Sequence, residues 1–76
     1  MSWLTIIVPT LNEAQNMVPL LAHLQAMREG GVEVIVVDGG SSDGTQALAA
    51  SLSDQVLTVP PGRARQMNAG AARATG

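Results

Sequence analysis

The sequence has no cysteine, phenylalanine or tyrosine, one tryptophan, Trp3, and one histidine, His23. Without cysteine there is no disulfide framework, and with a single histidine no Cys/His zinc site can be assembled, so the redox compartment stays open. One aromatic ring cannot provide a platform for stacking nucleic-acid bases, and it leaves the core to aliphatic side chains. Long apolar runs are missing as well. Runs such as residues 6–8 and 34–37 fall far short of the roughly 20 residues that cross a bilayer, so no membrane span is expected. No basic segment precedes the first apolar run; the N-terminus does not read as a signal peptide, and cytoplasmic placement is the expectation.

What remains is 76 residues, 46% hydrophobic and 13% charged, a globular composition that allows at most one folding unit. A chain this short buries only roughly 60% of the surface its unfolded form exposes. Small domains usually add a disulfide, a metal or a partner, and no such staple is visible here. The net charge is −2, and all six acids precede residue 55, whereas three of the four arginines, Arg63, Arg65 and Arg73, follow residue 62. That asymmetry suits either an anion contact near the C-terminal segment or solvated surface charge. An acidic chain with one aromatic residue argues against nucleic acid as a partner.

The apolar pattern predicts strands over residues 4–8, 32–37 and 56–59, the first of them buried on both faces of a parallel sheet. Between the first two, Asn16 serves as N-cap of a helix that keeps Pro19 in its first turn and places Met17, Leu20, Leu21 and Leu24 on one face. Gly30-Gly31 stops it. The loop 39–44 is rich in glycine, and Ser42 or Asp43 can cap a second helix over about residues 45–52. Pro60-Pro61-Gly62 breaks the chain before an Ala-rich third helix over about residues 63–74. Three parallel strands alternating with three helices predict an α/β, three-layer Rossmann-like half with right-handed crossovers. A fourth strand is expected beyond residue 76, so the half reads as truncated, with an open edge.

In such a sheet ligands bind at the carboxyl ends of the strands, which here means residues 9–13 and 38–44. Asp38, directly after four apolar residues, offers an acceptor for a base or ribose, or else a loop carboxylate or helix-cap partner. Glu13 either accepts ribose hydroxyls or favours the start of the nearby helix. On the third helix Arg63, Gln66, Gly70 and Arg73 align along one side, and Ala64, Met67, Ala71 and Ala74 form a neighbouring apolar stripe read as the packing face. Asn68 beside it could satisfy loop backbone or touch ligand. Arg63 or Arg65, near a helix start, could meet a diphosphate. His23 falls on the polar face of the first helix. No Ser/His/Asp set, no catalytic carboxylate pair and no metal cluster can be assembled, and neither a P-loop nor a G-x-G-x-x-G fingerprint is present.

The blocks Thr5-Ile6-Ile7-Val8-Pro9-Thr10-Leu11-Asn12-Glu13, Val34 through Thr45 and Gly62 through Ala71, in this order at strand ends, resemble the opening of family 2 glycosyltransferases. The form of the second and third blocks is similar to a bacterial subgroup associated with arsenosugar biosynthesis. The resemblance implies a GT-A-type fold and makes residues 1–76 the N-terminal nucleotide-sugar-binding segment of a domain that transfers a sugar with inversion. It places Pro9, Leu11 and Glu13 beside the nucleoside, Asp38 at base or ribose, and Arg63 or Arg65 near base or phosphate. Many members carry a second aspartate after the one matching Asp38, and here that position is Gly39; a UDP-sugar is the leading assignment of the donor. Mg²⁺ or Mn²⁺ is implied for the complete enzyme, but the family's Asp-x-Asp metal motif and catalytic base lie beyond Gly76. The expectation is therefore a donor-binding segment inactive in transfer by itself and prone to self-association. The alternative is a non-catalytic nucleotide-binding or interaction module on the same half-fold. A sugar-nucleotidyltransferase relative is disfavoured by the missing Gly-rich signature after the first strand.

Overall fold

The structure, a computed structural model, describes residues 3–75. Its elements alternate: β1 (Thr5–Thr10), α1 (Ala14–Glu29), β2 (Glu33–Asp38), α2 (Thr45–Ala50), β3 (Gln55–Thr58) and α3 (Arg63–Arg73). The strands form one parallel sheet in the order β1-β2-β3, in register from Thr5↔Glu33 to Thr10↔Asp38 and from Ile35↔Gln55 to Asp38↔Thr58. This is the α/β, Rossmann-like half that the sequence pattern predicts. No helix among the described residues is long and apolar enough to cross a membrane.

Only β2 is buried throughout; β1, expected to be covered on both faces, is half-buried along most of its length because it forms an edge. Edge position also explains how β1 runs on through Pro9 instead of stopping before it. The carbonyls of Leu4 and Thr10 accept the amides of Glu33 and Gly39 at 2.9 Å, so the even-numbered residues turn their backbone groups toward β2. Pro9 lies in the opposite phase, where its missing N–H faces the free edge and no ladder bond is lost.

On one face of the sheet Met17, Leu21 and Leu24 of α1 and Ala49 of α2 pack with Val34 and Val36, joined by Ile6, Val8, Leu52 and Val56. Leu20, expected in this stripe, is exposed rather than buried. α1 also starts earlier than expected. Asn16 is not its cap; Glu13 occupies that position without a side-chain bond, and the carboxylate of Asp43 accepts the Ala14 amide at 3.1 Å instead. Pro19 consequently lies inside the helix rather than in its first turn, depriving the carbonyl four residues back of a donor. A tertiary contact has overridden the local preference.

α3 covers the other face, and there the expectation about its packing side is reversed. Gln66 and Gly70 are the buried residues, whereas Ala64, Met67 and Ala71 are exposed. A Cβ on Gly70 would stand 2.6 Å from Ile7 Cγ2 and 3.1 Å from Val37 Cγ2. The helix backbone approaches the sheet so closely that only a glycine fits at the crossing.

Candidate functional site

The carboxyl ends of β1 and β2 are crossed by two loops and by the start of α3. Asp38, the last residue of β2, is fully buried, and its carboxylate turns into its own loop rather than into the crevice. Oδ2 accepts the amides of Gly40 at 2.9 Å and Ser41 at 2.7 Å and the side chain of Gln46 at 2.8 Å, while Oδ1 accepts the Ser41 hydroxyl. Burial alone would push this carboxyl up; the bonds from Ser41, Gln46 and Gly40 outweigh it and hold Asp38 below the usual aspartate value, an anion at neutral pH. The bonds it makes among the described residues are those of a loop carboxylate.

Asp43 works at the other end of this loop. Its Oδ1 accepts the Thr45 amide at 3.1 Å and the Thr45 hydroxyl, and its Oδ2 accepts the Ala14 amide, so one carboxylate receives the first amide of both α1 and α2, although Gly44, and neither Ser42 nor Asp43, is the N-cap of α2. The bonds from the Thr45 hydroxyl and then the Ala14 amide hold its carboxyl below the ordinary value. Gly44 between them adopts φ 87°, a left-handed conformation that favours glycine.

An open pocket of about 130 Å³ is lined by Pro9, Thr10, Leu11, Glu13, Arg63 and Gln66. It brings together four of the six residues expected from the sequence, namely Pro9, Leu11, Glu13 and Arg63. Asp38 and Arg65 do not line it; Arg65 is exposed, and of the two arginines that the sequence offers Arg63 is the one at the pocket. The side chains of Glu13 and Arg63 are exposed, with no hydrogen bond or ion pair among the described residues. His23 and Asn68 are exposed and take no part.

Two pocket residues were not singled out as ligand contacts. Thr10 is 2% exposed, and its hydroxyl has no hydrogen-bond partner among the described residues. Gln66 Nε2 donates to the carbonyls of Thr10 at 3.0 Å and Val37 at 2.8 Å, and its Oε1 accepts the Gly62 amide at 3.2 Å. One amide thereby ties the start of α3 to the ends of two strands and sets Arg63 at the pocket rim. The sequence aligns Gln66 with Arg63, Gly70 and Arg73 along one side of the helix, and only its remote partners reveal it as part of the framework.

The residues present do not fit a divalent metal. Among the described residues no three His, Cys, Asp or Glu side chains gather, and the carboxylates of Asp38 and Asp43 are already engaged by protein donors.

The profile of the family described as "Glycosyl transferase family 2" matches residues 5–76. Uncharacterised glycosyltransferases of Mycobacterium bovis and Mycobacterium tuberculosis are each 36% identical to the chain over 72 residues, which is 93% of this chain and 31% of theirs. The glycosyltransferase AglJ of Haloferax volcanii is 38% identical over 52 residues, 68% of this chain and 16% of its own length. None of these names mentions arsenosugar biosynthesis. No solved structure matches. The chain thus spans under a third of the length of the relatives it matches, and a profile running from the first strand to the last residue, over a parallel sheet with its pocket at the strand ends, makes it a member of glycosyl transferase family 2.

Proposed function

We propose that the pocket receives part of the nucleoside diphosphate of a sugar donor, a UDP-sugar in first place, and that the chain is the donor-binding part of an inverting glycosyltransferase. The observation that carries this reading is the buried hydroxyl of Thr10, without a hydrogen-bond partner among the described residues, in a pocket that Glu13 and Arg63, unpaired among those residues, also line. A buried hydroxyl without a partner costs about 1–3 kcal/mol, which a ligand's polar group would recover. Pro9 and Leu11 supply an apolar wall, Glu13 an acceptor for ribose hydroxyls, and Arg63, at the first residue of α3, a cation beside the helix's free N–H groups for phosphate. Asp38 acts on the ligand indirectly, by holding the loop.

At about 130 Å³ the pocket is smaller than the roughly 300 Å³ at which small-molecule sites begin, so it accepts one portion of the donor, the rest lying outside. Transfer of the sugar needs a cation to offset the leaving diphosphate and a base to deprotonate the acceptor. Mg²⁺ or Mn²⁺ is part of this proposal for the longer enzyme; the residues described here supply neither group, and in this reading the chain binds donor without transferring it.

Calorimetric titration with UDP tests the proposal. Arg63→Ala should weaken binding about tenfold to a hundredfold, as expected for the loss of a charge-assisted hydrogen bond, and Arg65→Ala should leave it unchanged. Equal effects from the two variants, or no binding of UDP at all, would remove the pocket from the donor site.

A further inference from the structure

The β1–α1 loop, which lines the pocket, is joined side chain to backbone to the loop after β2, and the joint is Asn12. Its φ of 50° makes it the single non-glycine residue among those described with a left-handed backbone, a conformation that asparagine tolerates better than most side chains. In that conformation its amide donates to Ser41 Oγ at 2.7 Å, and its Oδ1 accepts the Ser42 amide at 2.8 Å. Ser41 Oγ in turn donates to the buried carboxylate of Asp38. A continuous path therefore runs from Asp38 through Ser41 to the backbone of Asn12. Two residues further along the chain, the Ala14 amide is held by Asp43, so the segment is fastened on both sides of Glu13. Leu11 and Glu13, the neighbours of Asn12, line the pocket, whereas Asn12 does not.

We propose that Asn12 is a positioning residue for this pocket. It couples the β1–α1 loop to the loop that Asp38 organises, and the placement of Leu11 and Glu13 depends on that coupling. The inference rests on the pocket being the donor site only for its effect on affinity; the coupling itself is independent of any ligand. Both the left-handed backbone and the side-chain acceptor are required, and the two requirements can be separated. Glycine keeps the first and loses the second. Aspartate keeps both, since it tolerates the same conformation and offers a carboxylate oxygen to the Ser42 amide.

Amide hydrogen exchange on the whole protein, with UDP affinity measured in parallel, tests the coupling. In Asn12→Gly, exchange should quicken about fivefold to tenfold at Ser42 and Gly40 as well as at residues 11–14, and UDP should bind about tenfold more weakly. Asn12→Asp should restore both to within about twofold. Ser41→Ala, which removes the acceptor of the Asn12 amide from the opposite loop and leaves residue 12 itself unaltered, should quicken exchange at Asn12. Faster exchange confined to residues 11–14 in Asn12→Gly, or a glycine variant that binds UDP like the parent, would overturn the assignment. If the unaltered protein takes no UDP, the donor reading fails by itself, and exchange in the opposite loop still upholds or overturns the joint.

Discussion

The side-chain amide of Gln66 donates to the carbonyl of Val37 at 2.8 Å and, from the same nitrogen, to that of Thr10 at 3.0 Å, bridging the last turns of two strands from a buried position on α3. Gln66→Leu keeps the volume and removes all the bonds. It leaves the Gly62 amide without this acceptor and takes one donor from each of two strand-end carbonyls, and the stability of the protein should fall by about 1–3 kcal/mol. The urea midpoint checks this, and an unchanged midpoint would show that the bridge is dispensable.

Gly70 supplies a test of sign. At an open helix position glycine to alanine stabilises by about 1 kcal/mol through helix propensity. Here the added methyl would meet Ile7 Cγ2 at 2.6 Å, and overpacking of that kind costs about 1–3 kcal/mol. Gly70→Ala should therefore lower the melting temperature rather than raise it.

The acid limb of stability should carry the signature of Asp38. Its folded carboxyl lies below the usual value, so its contribution is complete above the unfolded value and is lost as pH falls through the folded one. Glu33, Asp43 and Asp54 are lowered as well, which sums to a loss of stability below about pH 4. Asp38→Asn should be less stable than the parent at neutral pH and show a shallower decline toward acid, so that the two urea midpoints converge at low pH. Parallel curves would mean that Asp38 does not titrate differently on folding.

The free edge of β1 bears on association. Leu20 and Met27 of α1 and Met67 of α3 are substantially exposed, as are Trp3 and Leu4 at the start of the strand. An unpaired strand edge with exposed apolar side chains nearby favours pairing between chains. Sedimentation at rising concentration should show this protein shifting from monomer to larger species, and a strictly monomeric profile would contradict it.

Much of the architecture was legible before the structure. Each apolar run became a strand of the parallel sheet and His23 fell on the exposed side of α1, whereas the N-cap of α2 is Gly44, with Asp43 bonded to the first amide of the helix. The pocket was legible in part, since a parallel sheet puts ligands at strand ends and Pro9, Leu11 and Glu13 follow the first of them. The packing side of α3 was misread because an apolar stripe is ordinarily the buried one. Where a backbone lies against a sheet, a glycine and a hydrogen-bonding amide serve better than methionine.

What the sequence determined by itself was the succession of elements and their parallel pairing, because periodicity and chain chirality act between near neighbours and hold whatever the rest of the molecule does. The tertiary structure alone decided that Arg63 and not Arg65 reaches the pocket, that the Asp38 carboxylate faces its loop, and that α1 begins at Ala14. The reason is separation along the chain. The bonds that place the pocket walls join Ala14 to Asp43 across 29 residues and Gln66 to Thr10 across 56, and such pairs meet only after the sheet has brought the strand ends together.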